Sequence, residues 1–309
     1  MKILQLDKNH PLITEQLSAK GFHLEEDFIS TYEEILNKIR NYDGIIIRSR
    51  IPLDRNFLEH AKNLRFIGRV GAGMENIDVE TAAELSITLI NSPEGNRDSV
   101  AEHVIGMLLI LMNRLFIASN EVKNGIWKRE ENRGDELFGK TFGIIGYGNM
   151  GKAVAKRLCG FGVKVIFHDI KSNLSDEFAT QVTLEDLKAE ADILSLHIPL
   201  TAETHYIVDE TFISEMKKDF YFINTARGKN VNTKALVEAI KAGKIRGAAL
   251  DVLEYEKASF EKLETKNEDL QYLLNSEKTI VTPHIAGWTH QSKEKLAQII
   301  VDKIAASFS

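Results

Sequence analysis

At 309 residues, with 43% apolar and 27% charged residues, the chain has the length and composition of an ordinary globular protein of two domains. Its formal net charge of −6 excludes general binding to nucleic acid, which needs a basic face, and its one cysteine, Cys159, excludes an intramolecular disulfide. The most apolar run, Val104 to Met112, is too short to span a bilayer, which takes about 20 residues.

The N-terminus, Met1 to Asp7, reads as a first strand and not as a signal peptide, so a cytoplasmic enzyme is expected. Strand patterns at Lys2–Asp7, Phe22–Glu26, Gly44–Ser49, Arg65–Val70 and Thr88–Ser92 alternate with helical patterns at Ile13–Lys20, Tyr32–Asn41, Arg55–Ala61 and Val79–Leu85. Such alternation, with no tight hairpin signal, predicts a parallel sheet covered by helices. A Pro- and Gly-containing loop, Asn91 to Asn96, ends this block. One long helix is predicted from Asp98 to about Asn124. It is apolar nearly all round between Val104 and Met112, which fits either intramolecular burial or a subunit contact.

A second alternating block begins at Lys140. Its strands are Thr141–Gly146, Lys164–His168, Ile193–Ile198, Tyr221–Thr225, Gly247–Val252 and Thr279–Thr282. Between the first two lies Gly146-x-Gly148-x-x-Gly151 and a helical stretch through Phe161, in which Cys159 reads as a small core residue. Asp169 follows the second strand, 18 residues after Gly151. The strand before, the helix after and the acid at this distance make the glycine motif a dinucleotide site. Gly146 allows the turn, Gly148 the approach of a pyrophosphate, and Gly151 close packing of helix on sheet. A carboxylate at Asp169 binds a ribose diol and repels a 2′-phosphate, so NAD is expected over NADP. Glu254 to Lys278 is the most charged stretch and predicts a solvated excursion with a short helix, Glu268–Leu274. A helical pattern from His290 to Ala306 closes the chain.

Arg227, Glu256 and His284 all lie just past strand ends of the second block, where open α/β sheets bind ligands. Together they suit hydride transfer. An Arg holds a substrate carboxylate by paired hydrogen bonds, a His exchanges a proton with the C2 oxygen, and a Glu orients the His and favours its protonated form.

The joint pattern resembles the D-isomer-specific 2-hydroxyacid dehydrogenase family, and within it the short phosphoglycerate dehydrogenase type. The resemblance covers nearly the whole chain. It rests on Gly71-Ala72-Gly73 with Asn76-Ile77-Asp78, Asn96 with Ser99-Val100-Ala101-Glu102, and the glycine loop. Further markers are Leu196-His197-Ile198-Pro199-Leu200-Thr201, Asn224-Thr225-Ala226-Arg227-Gly228, Leu250-Asp251-Val252 and Thr282-Pro283-His284-Ile285-Ala286-Gly287. The resemblance implies Arg227, Glu256 and His284 as the catalytic set. It implies cofactor contacts at Gly146, Tyr147, Gly148, Asn149, Met150, Gly151, Asp169, His197, Pro199, Thr204, Thr225, Ala226, Asp251, His284, Ala286 and Gly287. Asp251 is the expected partner of the nicotinamide carboxamide. Substrate contacts are implied at Ala72, Gly73, Asn96 and Arg227, and no metal is implied. The implied fold is two doubly wound parallel-sheet domains. A flavodoxin-like substrate domain (1–96 with 288–309) carries an inserted Rossmann NAD-binding domain (97–287), and a homodimer through the long helix is implied. Relatives usually carry Pro after the catalytic Glu; this chain has Lys257 there, and a second acid, Glu254, nearby.

Arg48-Ser49-Arg50 ends the third strand. Two arginines flanking a serine can hold a phosphate, which points to oxidation of 3-phosphoglycerate to 3-phosphohydroxypyruvate, the entry to serine synthesis. The competing reading leaves one Arg exposed and pairs the other with Asp54. Hydroxypyruvate, glyoxylate or D-lactate reduction then remains open, as does an NAD-sensing transcriptional co-repressor. Formate dehydrogenase uses a Gln where this chain has Glu256. With the last residue at Ser309, the regulatory domain of longer relatives is not expected.

Overall fold

The computed structural model describes residues 1–256 and 267–308. Lys257 lies outside the described residues. Two compact units are present: Met1–Asn96 with Trp288–Ser309, and Arg97–Gly287.

In the first unit, β1 (Lys2–Gln5), α1 (Leu12–Ala19), β2 (His23–Glu26), α2 (Tyr32–Lys38), β3 (Gly44–Ile47), α3 (Arg55–His60), β4 (Phe66–Arg69), α4 (Val79–Glu84) and β5 (Thr88–Asn91) follow in turn. All strand pairs are parallel, in the order β2-β1-β3-β4-β5, the flavodoxin-like winding. The two-residue period of a strand divides the core. Leu4, Ile45, Ile47 and Ile67 face Ile35, Phe57 and Ala82, while Ile3, Ile46 and Phe66 face Ile13 and Leu17. That second face is completed from the far end of the chain, by Leu296, Ile300, Val301 and Ile304. Side-chain caps begin the helices: Thr31 in a capping box for α2, Asp54 for α3 and Asp78 for α4.

The second unit starts with α5 (Arg97–Met112) and α6 (Leu115–Lys123). One continuous helix is therefore not what forms. The two segments are bent by 60°, and Arg114 between them takes a left-handed backbone, φ 51°. The cause lies in a later segment that crosses the end of α5. Asp135 N donates to Met112 O, and Gly134 passes so close that a Cβ there would meet Asn113 Cα at 2.7 Å. No single helix among the described residues is long and apolar enough to cross a membrane. Val104, Met107, Leu108 and Leu111 of α5 are buried, whereas α6 buries no residue.

The sheet of this unit follows: β6 (Thr141–Ile145), α7 (Asn149–Leu158), β7 (Lys164–His168), β8 (Thr180–Gln181), α8 (Leu184–Glu190), β9 (Ile193–Leu196), α9 (Glu210–Glu215), β10 (Phe220–Asn224), α10 (Thr233–Lys241), β11 (Ile245–Leu250), α11 (Glu268–Asn275) and β12 (Thr279–Val281). The last helix, α12 (His290–Phe308), belongs to the first unit. The seven parallel strands run β12-β11-β10-β9-β6-β7-β8. Strand order reverses at β6, which pairs with both β7 and β9, and such a switch point opens a crevice at the strand ends. Alternation again sorts the faces: Phe142, Ile144 and Phe167 pack against α5 and α7, and Ile145, Ile166 and Leu194 face the other way. The two-residue β8 is too short to leave a strand signal in the sequence. Cys159, at the end of α7, is exposed and not a core residue, because the helix turns its buried stripe through Ala155 and Leu158.

Candidate active site

The glycine turn leaves β6 at the switch point. Gly146 has φ 90°, and a Cβ on it would lie 2.5 Å from His197 O. A Cβ on Gly151 would run into Gly146 O. Backbone conformation and packing thus account for both. Gly148 differs. Its φ of −85° suits any residue, and a Cβ there meets nothing within 4 Å. Neither strain nor the protein's own atoms require glycine there, but a ligand lying against the backbone would. Thr183, Asp209 and Asn232 cap α8, α9 and α10 with their side chains, whereas α7 begins at Gly148 with no side-chain cap. Its first amides are left to water or an anion. Asn149 is exposed at this end and Met150 packs partly against the core.

Asp169 is held from both sides: Oδ2 accepts from Tyr147 N at 2.7 Å and Oδ1 from Lys171 N at 2.9 Å. It lines an open cavity of about 810 Å³ with His168, Gln181, Thr183, Glu185 and Asp186. Three carboxylates on one cavity suit a ribose diol and oppose a phosphate. The Tyr147 side chain turns away from this space. It is buried, stacked on Phe167 at 3.7 Å and donating to Asp176 Oδ1 at 2.8 Å. Its contribution is therefore made through the backbone.

At the end of β9, burial pushes the His197 pKa down to about 4, so the ring is neutral at pH 7, with Nε2 2.9 Å from Ser195 Oγ. Pro199 O accepts from Thr204 Oγ1 at 2.7 Å, which closes the turn after this strand. Past β10, Thr225 Oγ1 is buried without a hydrogen-bond partner among the described residues.

The Arg227 turn is shaped by two asparagines. Asn224 accepts from Ala226 N and donates to Arg227 O at 2.9 Å, and the fully buried Asn230 accepts from Arg227 N at 3.1 Å. Gly228 lets the turn press on Leu253 O, where any side chain would clash. Next to that contact, Glu256 Oε1 accepts from Leu253 N at 2.5 Å, and Oε2 lies 2.7 Å from His284 Nδ1. Glu254 is committed elsewhere, to Tyr206 OH and to Thr233 N at the start of α10. Glu256 is thus the carboxylate that meets the histidine.

His284 has a left-handed backbone, φ 56°, which a non-glycine residue keeps only when its surroundings over-determine it. Asp251 supplies the constraint. Its carbonyl accepts from His284 N at 2.8 Å. Its carboxylate accepts from Thr282 Oγ1 at 2.5 Å, Ile285 N at 2.9 Å and Ala286 N at 2.8 Å. The side chain is 1% exposed and anchors the His284 loop. Ala286, 3% exposed, is tied further by Ser99 Oγ to its carbonyl at 2.6 Å, and Gly287 ends the loop half-buried.

In the first unit, Arg48 stacks its guanidinium on the Trp288 indole, 4.3 Å from the ring centroid, and its amide donates to Asp7 Oδ2. Arg50 corrects the expected phosphate clamp. Its guanidinium donates to Leu6 O at 2.5 Å, Ser30 O at 2.6 Å and Asp27 O at 3.0 Å, and so braces three backbone segments. Asp54 caps α3 and accepts from Tyr32 OH, so it pairs with neither arginine. Ala72 O accepts from Asn91 Nδ2 at 2.8 Å, Gly73 is half-buried beside it, and Asn96 Oδ1 is buried with no hydrogen-bond partner among the described residues. Sequence reasoning missed the shaping roles of Asn224 and Asn230, which an Asx pattern around a strand end signals, and the Trp288 contact, which no local pattern signals.

Residues 105–286 match the model of the D-isomer specific 2-hydroxyacid dehydrogenase, NAD binding domain. The chain is 36% identical over 290 residues to a hydroxypyruvate reductase of Thermotoga maritima, covering 94% of this chain and 90% of the relative. It is 36% identical over 308 residues to a D-3-phosphoglycerate dehydrogenase of Methanocaldococcus jannaschii, but spans only 57% of that relative's length. Its fold superposes with a TM-score of 0.85 on a D-lactate dehydrogenase from Aquifex aeolicus complexed with NAD and lactic acid, at 30% identity over 99% of this chain and 95% of the other.

Proposed function

The chain belongs to the D-isomer-specific 2-hydroxyacid dehydrogenase family, and from that premise we propose that it interconverts a D-2-hydroxy acid and its 2-oxo acid with NAD, through Arg227, Glu256 and His284. The observation that carries this reading is the 2.7 Å pair of Glu256 and His284 Nδ1, on a loop whose backbone is forced into place. Bound at the glycine turn and Asp169, NAD supplies the hydride acceptor. Arg227 holds the substrate carboxylate by its fork of N–H donors. Glu256 on Nδ1 fixes the ring and leaves proton exchange to Nε2. In the oxidative direction Nε2 takes the C2 hydroxyl proton as hydride leaves C2, and the carboxylate of Glu256 stabilises the imidazolium formed. In reduction the same proton returns to the C2 oxygen.

For the specific substrate, 3-phosphoglycerate rests on Arg48 alone. The three carbonyls that engage Arg50 speak against the second arm of the clamp and favour a second reading, hydroxypyruvate or glyoxylate. The homodimer reading draws on the apolar residues that α6 and the segment after it leave exposed, Leu115, Phe116, Val122, Ile126 and Trp127, the last at 83%. The deciding experiment measures kcat/KM for 3-phosphoglycerate, D-lactate, glycerate and D-malate, for their oxo acids and for glyoxylate, with NAD and NADP. Turnover of none of them, or equal use of both cofactors, would defeat the reading.

A further inference from the structure

One more histidine reaches the catalytic loop. His103 lies on α5, and its Nε2 is 3.0 Å from Thr282 Oγ1 and 3.6 Å from Asp251 Oδ1. Thr282 Oγ1 lies 2.5 Å from that same carboxylate oxygen. Ile285 N and Ala286 N also converge on Asp251, so the carboxylate acts as acceptor and the single hydroxyl proton of Thr282 points at it. Thr282 Oγ1 then has only lone pairs for His103, and His103 Nε2 must be the donor. A line of donors runs from His103 through Thr282 to Asp251, and Asp251 grips the loop on both sides of His284.

We propose that His103 is a positioning residue for the reaction. By donating to Thr282 it holds the hydroxyl against Asp251, and this keeps His284 in the left-handed backbone from which its ring meets Glu256. Asp251 is nearly inaccessible to water, so a hydroxyl that swings away from it has no solvent substitute at the carboxylate. This inference rests on the assignment of His284 as the proton-transfer group.

The test compares His103→Leu, His103→Gln, Thr282→Val and the His103→Leu/Thr282→Val double variant. Gln carries an N–H donor at about the reach of the imidazole Nε2. His103→Leu should lower kcat roughly tenfold while changing the KM for the hydroxy acid and the Kd for NAD by less than about twofold. His103→Gln should recover kcat to within roughly threefold of wild type. Because Thr282→Val cuts the same line, the double variant should be no slower than the slower single variant. Amide hydrogen exchange at Ile285 and Ala286, measured without substrate, should accelerate in His103→Leu and Thr282→Val and return in His103→Gln. Wild-type kcat and exchange in His103→Leu, or multiplicative losses in the double variant, overturn the proposal. If the leucine variant does not fold, Thr282→Val with wild-type kcat and exchange overturns it equally. Absence of any hydroxy-acid turnover in the wild type defeats the reaction assignment instead, and the exchange measurement still decides the positioning.

Discussion

Replacing Glu256 by Gln tests the reasoning at its centre. The change keeps the side-chain length and an acceptor for His284 Nδ1, but removes the charge. In the structure one oxygen of Glu256 meets Leu253 N at 2.5 Å and the other meets Nδ1 at 2.7 Å, so a Gln whose carbonyl faces the ring turns its NH2 on the Leu253 N–H and gives up that second bond. What is lost at the ring is the difference between a charge-assisted and a neutral hydrogen bond at the moment the imidazole becomes a cation. Bonds to charged groups are worth about 1.5–3 kcal/mol and neutral ones about 1 kcal/mol, a difference of about 0.5–2 kcal/mol. That slows kcat by roughly two- to thirtyfold. The KM for NAD should stay unchanged, since Glu256 has no part in the glycine turn. Glu254→Gln is the control. It should leave kcat near wild type and lower the Tm by a few degrees, because Glu254 holds Tyr206 and the start of α10. Steady-state kinetics at saturating NAD, with thermal melts of both variants, decide the matter. A Glu256→Gln enzyme of wild-type kcat beside a slow Glu254→Gln enzyme would refute the assignment of the acid.

Gly148→Ala should fold with unchanged Tm yet raise the Kd for NAD at least tenfold, whereas Gly151→Ala should lose stability as its Cβ meets Gly146 O; calorimetric titration and melts separate the two. Arg50→Ala should lower the Tm with little change in KM, because it leaves three carbonyls without their donor, while Arg48→Ala should raise the KM for a phosphorylated substrate by roughly ten- to a hundredfold. A rise in KM from Arg50→Ala at unchanged Tm would restore the two-arginine clamp. His197 gives a pH signature of stability. Its folded pKa, about 4, lies below the ordinary value of 6.5, so the unfolded chain binds the proton more readily. Its contribution is complete above pH 6.5 and is lost as pH falls toward 4, by up to roughly 3 kcal/mol. His197→Gln should flatten that part of the Tm-against-pH curve; a curve parallel to wild type contradicts the burial argument.

Much of this could be read before folding because the relevant physics is local. Alternation of strand and helix periods located the parallel sheets, and spacing alone tied the glycine turn to Asp169. Arg227 and His284 stood at strand ends where the topology opens a crevice. What was not legible depends on segments far apart in the chain. The break at Arg114 follows from Gly134 and Asp135 crossing the end of α5, and nothing within 98–124 announces it. Arg50 looks like a ligand for phosphate until Leu6, Asp27 and Ser30 come round it. The choice between Glu254 and Glu256 turned on Tyr206 and Thr233, residues with no sequence relation to the acid they occupy.

The placement of α12 bears on how this protein is made. One face of the β1–β5 sheet waits for Leu296, Ile300, Val301 and Ile304, while Arg97–Gly287 is contiguous and contains all of its own core. On a ribosome adding about 5–20 residues per second, that face is covered by α1 alone for roughly 10–40 s after its last strand emerges. The β1–β5 unit is therefore begun before Arg97–Gly287 and completed after it. During that interval Ile3, Ile46 and Phe66 present a half-covered apolar surface, a natural substrate for a chaperone and the point from which a stalled or truncated chain would aggregate.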